Sequence, residues 1–208
     1  MKQQPDLVPA QALPVSRETS ALLERFIPFF LRWNARINLV AAADAAKIRE
    51  RHIADSLQLL PLIPHGDAPL IDLGSGGGFP GLVLAMELMR PVHLVEADRR
   101  KAAFLQAAAA ELGLAHVAVH AARIEQVTLP RASVLTARAL APLEALLPWA
   151  ERLLTPNGVA IFPKGRNADH EIETARRAGW TMDISRYKSF TDPNATLLSI
   201  TGIRRAGE

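Results

Sequence analysis

A short apolar segment that runs directly into a glycine-rich turn is the feature that most limits how this chain can fold. Leu70 to Leu73 has the composition of a buried strand, and four of the next five residues, Gly74 to Gly78, are glycine. Glycine lets the backbone adopt positive φ and approach a ligand closely, at a cost in backbone entropy. Pro80 suits the first turn of a helix, whose N-terminal amides would face the turn. The segment therefore predicts a strand–turn–helix unit that binds a nucleotide-like ligand.

Strand-like and helix-like segments alternate from this unit onward. The predicted strands are 70–73, 92–95, 117–120, 133–136 and 158–162, and the predicted helices are 80–89, 99–112, 142–154 and 167–178. Two β-rich segments, 181–187 and 195–203, suit an antiparallel pair. Alternation of this kind implies parallel strands joined by right-handed crossovers. We therefore predict a Rossmann-like α/β fold with a mostly parallel seven-stranded sheet and an antiparallel C-terminal hairpin.

The first third of the chain has a different texture and is predicted to be helical. Apolar residues recur at helical spacing between residues 22 and 31, and Ser16 or Ser20 could cap this helix. Pro28 should kink or interrupt it. Asp44 is the expected N-cap of a second helix that runs towards Pro61. We expect residues 1–66 to form a helical extension that packs on a core domain of residues 67–208.

Composition excludes several classes of function. The chain has no cysteine, so disulfides, thiolate metal sites and cysteine nucleophiles are excluded. A net charge of +3 does not by itself indicate nucleic acid. Arginine outnumbers lysine, which suits phosphate contacts but also follows from a GC-rich genome, and both interpretations stay open. Without an apolar run of ~18 residues, or an export pattern in Met1 to Leu13, we expect a cytoplasmic protein.

Two nucleotide-binding patterns fit the glycine turn in different registers. The methyltransferase pattern, acid-x-Gly-x-Gly-x-Gly, is met by Asp72, Gly74, Gly76 and Gly78. The dinucleotide pattern is met only in a shifted register, because its first glycine should follow the strand immediately. An acid at the position of Asp72 also suits a cationic sulfonium better than a pyrophosphate. The register therefore favours S-adenosylmethionine, with a dinucleotide-dependent oxidoreductase as the alternative.

Acidic residues after the next two strands fit the same ligand. Glu96 directly follows the second strand, where a carboxylate accepts hydrogen bonds from ribose hydroxyls. Asp98 is more suited to cap the following helix. Ile124 and Glu125 follow the third strand, where such folds hold the adenine, although Glu125 alone would more often be a surface acid.

Further motifs make the chain resemble a known family across nearly its whole length. These motifs are Trp33-Asn34, Asn38-Leu39, Arg51-His52-Ile53 with Asp55-Ser56, Asp72 to Gly81 ending in Gly-Phe-Pro-Gly, Lys101 with Phe104-Leu105, Arg138-Ala139 and Lys164-Gly165. They resemble the bacterial ribosomal RNA small subunit methyltransferase G family, also called glucose-inhibited division protein B. The resemblance implies a Rossmann-like class I methyltransferase that methylates N7 of a guanine in the decoding-region loop of 16S rRNA, within a small ribosomal subunit or its precursor.

The resemblance also implies which residues contact S-adenosylmethionine. They are Gly74, Phe79, Ile124, Glu125 and Arg138. Arg138 follows the fourth strand, where the donor carboxylate and the substrate come close, so we expect it to bind one and orient the other. Lys164 is the candidate for an RNA phosphate contact, and Arg51 and Lys101 are weaker candidates.

The expected reaction needs few catalytic groups. Guanine N7 carries a lone pair and no proton, so no general base and no metal are expected. We therefore interpret His52 and Asp55 as a hydrogen-bonded structural pair that holds the helical extension on the sheet. Trp33, Trp149 and Trp180 fit core packing better than base stacking. A monomer is expected, and a ribosome-assembly factor that keeps the fold without catalysis is a further alternative.

Overall fold

The computed structural model describes residues 15–206. The segment Met1 to Leu13, in which no export pattern is expected, and the first part of the predicted extension lie outside these residues. The helices are α1 (Arg17–Ile37), α2 (Ala42–Ala45), α3 (Ala54–Leu57), α4 (Gly81–Glu87), α5 (Arg99–Leu112), α6 (Leu143–Leu153) and α7 (Ala168–Arg177). The strands are β1 (Leu70–Leu73), β2 (Val92–Val95), β3 (Val117–His120), β4 (Ala132–Ala137), β5 (Leu154–Lys164), β6 (Trp180–Lys188) and β7 (Thr196–Arg205).

All seven strands belong to one sheet, in the order β3-β2-β1-β4-β5-β7-β6. The first five strands pair in parallel, whereas β7 runs antiparallel to both β5 and β6. The predicted Rossmann-like sheet with a C-terminal hairpin is confirmed. Because the parallel strands end at one edge, the glycine turn after β1 and the loops after β2, β4 and β5 meet there.

Several elements coincide with the predicted ranges because strong local signals end them. The sequence-predicted bounds of β1, β2, β3 and α5 are those of the structure. Asp98 caps α5 by accepting hydrogen bonds from the amides of Arg100 and Lys101. Gly113 ends the same helix in the left-handed conformation, at φ 70°. The strand β5 is longer than predicted and begins directly after α6.

The prediction that Pro28 interrupts the first helix is wrong. The helix α1 is continuous over 21 residues and is capped by Ser16, whose side chain accepts from the amide of Thr19. Pro28 lies on the exposed face, where water can solvate the carbonyl that the missing amide leaves free. The opposite face buries Phe26 and Phe30 completely. Tertiary packing of this face therefore overrides the local penalty.

This arrangement predicts that Pro28→Ala stabilises the protein. Alanine restores the missing helical hydrogen bond and removes a penalty of ~3 kcal/mol, part of which is offset because alanine makes the unfolded chain more flexible. We expect the free energy of unfolding to rise by about 1–2 kcal/mol, measured by urea denaturation. A value equal to or below that of the wild type would show that α1 tolerates the proline at no cost.

The second part of the extension is helical but irregular. Asp44 lies inside α2, so the prediction that it caps a helix is wrong. Arg49–Ile53 forms a π-helical turn that passes directly into α3. Turns of this type are frequent at functional sites. This one carries the Arg-His-Ile segment of the Arg51–Ser56 motif.

An aromatic cluster joins the extension to the sheet. Ring centroids of Phe30 lie 5.3 Å from Phe79 and 5.7 Å from Phe104, and both partners are buried. Trp33 packs against Phe104 at 5.7 Å. Trp180 and Trp149 contact the core on the other side of the sheet, so the three tryptophans pack as predicted. No helix within residues 15–206 is both long and apolar enough to cross a membrane.

Candidate active site

The glycine turn is held in shape by Glu96. Gly74, Gly76 and Gly78 have positive φ angles of 66°, 53° and 85°. The amide of Gly76 donates to Glu96 Oε2 at 2.8 Å, and the amide of Asp98 donates to Oε1 at 2.8 Å. One carboxylate thus links the turns after β1 and β2. Each oxygen keeps a lone pair that a ligand hydroxyl could use.

Asp72 lies behind the turn rather than in it. It is fully buried, where its Oδ1 accepts from the Thr136 hydroxyl at 2.7 Å and its Oδ2 accepts from the Gly81 amide at 3.3 Å. Burial raises the pKa of the Asp72 carboxyl to about 6, against the opposing effect of these hydrogen bonds. The carboxylate therefore ties the end of β1 to β4 and to the first turn of α4.

Two of the glycines are required by packing. A Cβ on Gly81 would lie 2.5 Å from Leu94 Cδ2 and 2.6 Å from Asp72 Oδ2. A Cβ on Gly78 would lie 2.9 Å from Leu82 Cβ. The absence of a Cβ at these two positions allows α4 to lie close to β1 and β2, so the glycine run serves helix packing as well as ligand access.

A first cavity of about 400 Å³, the glycine cavity, opens in front of the turn. Its lining is Gly74, Gly76, Val95, Glu96, Ala97, Lys101, Ala122, Arg123, Ile124, Glu125, Arg138, Ala139 and Leu140. Among the residues predicted to contact the methyl donor, six belong to this lining: Gly74, Gly76, Glu96, Ile124, Glu125 and Arg138. Asp72, Gly78 and Phe79 lie outside it and support the turn from behind.

A second cavity of about 590 Å³, the loop cavity, lies beside it. Its lining is Arg51, His52, Asp55, Arg138 to Pro142, Pro163, Lys164, Gly165, Glu171, Thr191, Asp192 and Ala195. These residues come from the extension, the loop after β4, the end of β5, α7 and the β6–β7 loop. The cavity therefore forms only when the extension and the β6–β7 loop, which are far apart along the chain, pack around the end of the sheet.

Arg138 borders both cavities, and its guanidinium contacts three other side chains. Its Nη1 donates to Asp55 Oδ2 at 2.9 Å, and its Nη2 donates to His52 Nδ1 at 3.1 Å. The guanidinium also lies over the Phe79 ring, with Cζ 5.4 Å from the centroid. The tip of β4 is thereby fastened to the extension.

His52 and Asp55 were predicted to hydrogen-bond to each other, but in the structure each bonds to Arg138 instead. Arg138 can only donate, so His52 Nδ1 must accept and the proton resides on Nε2. That Nε2 is buried with no hydrogen-bond partner among residues 15–206. Desolvation and the Arg138 charge lower the pKa of His52, which favours the neutral ring. The ring stacks on Phe79, with the two ring centroids 5.0 Å apart.

The predicted RNA-contacting cations have different surroundings. Arg51 is exposed, with Nε 3.8 Å from Asp44 Oδ1. Lys101 lies in the glycine cavity. Lys164 is only 8% exposed, and its Nζ lies 2.8 Å from Glu171 Oε2.

The segment Arg138–Leu140, which we call the partition, is the part of the wall that the two cavities share. Ala139 has a φ of 52°, an uncommon conformation for a residue with a Cβ. The Leu140 side chain lies against Gly74, so that a Cβ there would approach Leu140 Cδ1 to 2.6 Å.

Sequence reasoning missed Leu140, Glu171 and Thr191. Glu171 and Thr191 enter the loop cavity only because α7 and the β6–β7 loop fold over the end of β5, and neither residue lies in a recognisable motif. Leu140 could have been found, since it follows Arg138-Ala139 at the tip of β4. Within the described part of the chain, no group of three or more acidic or imidazole side chains could hold a metal.

Comparisons with known proteins agree with this geometry. The family model described as rRNA small subunit methyltransferase G matches residues 19–195. Curated relatives named Ribosomal RNA small subunit methyltransferase G include one from Granulibacter bethesdensis, 52% identical over 92% of this chain and 89% of its own, and one from Acidiphilium cryptum, 54% identical with the same coverage.

A solved structure supports the fold independently. A SAM-dependent methyltransferase from Aquifex aeolicus superposes with a TM-score of 0.61, covering 89% of this chain and 98% of that one at 12% identity. The match over 177 positions (residues 19–195) and the close relatives decide the family. The chain is an S-adenosylmethionine-dependent methyltransferase that belongs to the rRNA small subunit methyltransferase G family.

Proposed function

We propose that this enzyme transfers a methyl group from S-adenosylmethionine to N7 of a guanine in the decoding-region loop of 16S rRNA. The observation that carries the proposal is Arg138, which borders both cavities at the tip of β4. Family membership supports small-subunit rRNA as the substrate. It also decides against the dinucleotide-dependent oxidoreductase.

The residues of the glycine cavity fit S-adenosylmethionine. Glu96 offers carboxylate oxygens to ribose hydroxyls, and the glycines with positive φ leave room beside the backbone. Arg138 offers a planar guanidinium to the amino-acid carboxylate. Ile124 and Glu125 border the adenine end in this proposal, and Asp72, Gly78 and Phe79 act by holding the turn.

The chemistry requires positioning rather than proton transfer. When bound, S-adenosylmethionine supplies a methyl group on a cationic sulfur. The N7 lone pair forms the new C–N bond while the S–C bond breaks onto sulfur, leaving a neutral thioether and a cationic 7-methylguanine. No proton moves, so Arg138 acts by orienting the reactants and His52 stays neutral. The chain's task is to hold nucleophile and methyl in line.

We infer that the guanine enters the loop cavity with its N7 edge towards the partition. A base inside a folded RNA must leave its stack to reach such a cavity. The cavity of about 590 Å³ leaves room for a nucleotide. Because one chain lines both cavities, the enzyme can work as a monomer, on a small subunit or its precursor in the cytoplasm.

The RNA backbone contacts are a separate part of the proposal. Arg51 is exposed at the rim of the loop cavity, which favours a phosphate contact. Lys101 is partly buried near Glu96, so it suits a phosphate only at the edge of the glycine cavity. Removing a phosphate contact should reduce the dependence of RNA affinity on salt.

We also propose a division of labour between residues 1–66 and residues 67–208. The second segment binds the methyl donor, and the first supplies Asp55 and His52, which hold Arg138. The shared aromatic cluster supports an extension that packs on the core as one body.

Chemical cleavage at 7-methylguanine in 16S rRNA tests the function directly. Cells that lack this chain should lose one cleavage site that wild-type cells show. An identical pattern in both would sink the proposal. Full rescue of all deletion phenotypes by an Arg138→Ala chain that binds no donor would favour the non-catalytic assembly factor.

Asp72 predicts a pH dependence of donor binding. The ionised carboxylate accepts from the Gly81 amide and the Thr136 hydroxyl, and protonation removes one of these acceptor positions. Since the pKa is about 6, donor affinity should weaken as pH falls through that value. The measurement is calorimetry from pH ~5 to ~8, with proton release on binding below neutral pH.

An Asp72→Asn variant is the control. It should bind the donor weakly and lose this pH dependence, because an amide cannot accept at both positions. The stability of the folded protein should depend on pH in the opposite direction to donor affinity. Because the folded protein holds the Asp72 proton more tightly than the unfolded chain does, the contribution of Asp72 to the free energy of unfolding falls as pH rises from 3.8 to about 6. Donor affinity constant across the range would contradict the assignment.

A further inference from the structure

We propose that Lys164 and Glu171 are positioning residues for methyl transfer, which fix the partition between the two cavities. The inference rests on the proposed function. Its starting point is geometric, because the partition Arg138–Leu140 separates the place of the donor from that of the base. Whatever holds this segment also sets the distance between the reacting atoms.

Lys164 is bound to the loop that continues from the partition. Its Nζ donates to the carbonyl of Ala141 at 2.7 Å and pairs with Glu171 Oε2 at 2.8 Å. The side chain is only 8% exposed. Two of its three donors are therefore engaged within the protein, which leaves little of the ammonium for an RNA phosphate.

Glu171 completes the same attachment from α7. Its Oε2 accepts from the amide of Leu143 at 2.7 Å as well as from Lys164. The pair thus binds the carbonyl of Ala141 in the β4–α6 loop and the first amide of α6, on both sides of Pro142. A largely buried ion pair is costly unless its remaining hydrogen bonds are made, and here the loop backbone makes them.

The partition is fastened at its other end by the extension. Asp55 and His52 hold the Arg138 side chain, so the loop is fixed on both sides of Ala139. That residue has a φ of 52°, a conformation that persists only where its surroundings impose it. Release of the Lys164 end should let the partition relax and move.

Movement of the partition should lower the rate of methyl transfer much more than it weakens donor binding. Misplacement of reacting groups by ~1 Å can reduce a rate about 100-fold. Lys164 and Glu171 lie outside the glycine cavity lining, so donor affinity should hardly change. The inference therefore predicts a selective loss of kcat.

Steady-state methylation of small ribosomal subunits from cells that lack the enzyme provides the test. We expect Lys164→Met to lower kcat about 10- to 100-fold, with donor affinity within about twofold of wild type. Glu171→Gln should lose less kcat, since its amide oxygen can still accept from Leu143. The double variant should be little worse than Lys164→Met, because both act through one loop.

The salt dependence of RNA binding separates this role from a phosphate contact. For Lys164→Met the slope of log affinity against log salt should equal that of wild type, whereas Arg51→Met should reduce it by about 0.7–1. Lys188 is an exposed lysine at the end of β6 and lies outside both cavity linings. Lys188→Met should therefore leave kcat, donor affinity and the salt slope unchanged. A reduced slope with wild-type kcat for Lys164→Met would overturn the inference.

Two further variants distinguish a loss of positioning from a folding defect in Lys164→Met. Lys164→Arg keeps the charge and the donors, so it should recover most of kcat. If Lys164→Met does not fold, wild-type kcat in Glu171→Gln overturns the inference by itself. A wild-type enzyme that does not methylate the subunit would instead overturn the proposed function.

Discussion

Arg138→Ala should reduce kcat/KM for rRNA methylation by about 1,000-fold and weaken S-adenosylmethionine binding by about 10- to 100-fold. In our proposal the guanidinium makes charge-assisted hydrogen bonds to the donor carboxylate, each worth about 1.5–3 kcal/mol. Its loss also leaves the Asp55 carboxylate, with a side chain only 15% exposed, without its ion-pair partner. Calorimetry for the donor and initial rates on small subunits measure the two effects.

Two matched variants define what the arginine contributes. Arg138→Lys keeps the charge but lacks the two-pronged geometry that reaches Asp55 and His52 together, so it should recover only a small part of the rate. Arg152→Ala removes an exposed arginine that lies over Trp149 and should leave the rate unchanged. Donor affinity of Arg138→Ala within threefold of wild type would contradict the role assigned to Arg138.

Gly81→Ala should be among the most destabilising single-methyl additions in this protein. The new Cβ would lie 2.5 Å from Leu94 Cδ2 and 2.6 Å from both the Cβ and Oδ2 of Asp72, all in the buried interior. Overpacking of this kind costs about 1–3 kcal/mol, and displacement of Asp72 adds the loss of its hydrogen bond to the Gly81 amide. We expect a decrease in Tm of about 5–10 °C, measured by calorimetric unfolding.

Gly165→Ala is the matched control for this stability measurement. A Cβ on Gly165 would meet no atom within 4 Å, so its Tm should stay close to that of wild type. If both variants unfolded at the same temperature, the close packing of α4 on β1 would not be limiting.

The strands could be predicted from local sequence patterns, and the candidate site only in part. Buried runs such as Leu70–Leu73, bounded by glycine or by a cap such as Asp98, end where the pattern ends. The parallel sheet then brings the loops after its strands to one edge, which is why Gly74, Glu96 and Arg138 could be predicted as neighbours. Their shared cavity is a consequence of topology.

Contacts that depend on distant packing could not be predicted in this way. Arg138 and Asp55 are 83 positions apart, and no spacing rule joins a helical extension to a strand tip. The local effect of Pro28 predicts a broken helix, yet packing of the buried face of α1 keeps the helix continuous. Lys164 was predicted to contact an RNA phosphate, and its pairing with Glu171 could not be foreseen because Glu171 lies on a helix whose sequence carries no functional motif.

The aromatic cluster has a consequence for the order of events during synthesis. Phe26 and Phe30 are made well before Phe79 and Phe104, the rings against which they pack. Until α5 has been translated, α1 lacks part of the surface on which it buries its apolar face, and most of the stability of a helix in a protein comes from such packing. The loop cavity closes later still, since Thr191 to Ala195 follow α5 and all five parallel strands along the chain. A nascent chain in which Thr191 to Ala195 have not yet been translated therefore lacks a complete loop cavity.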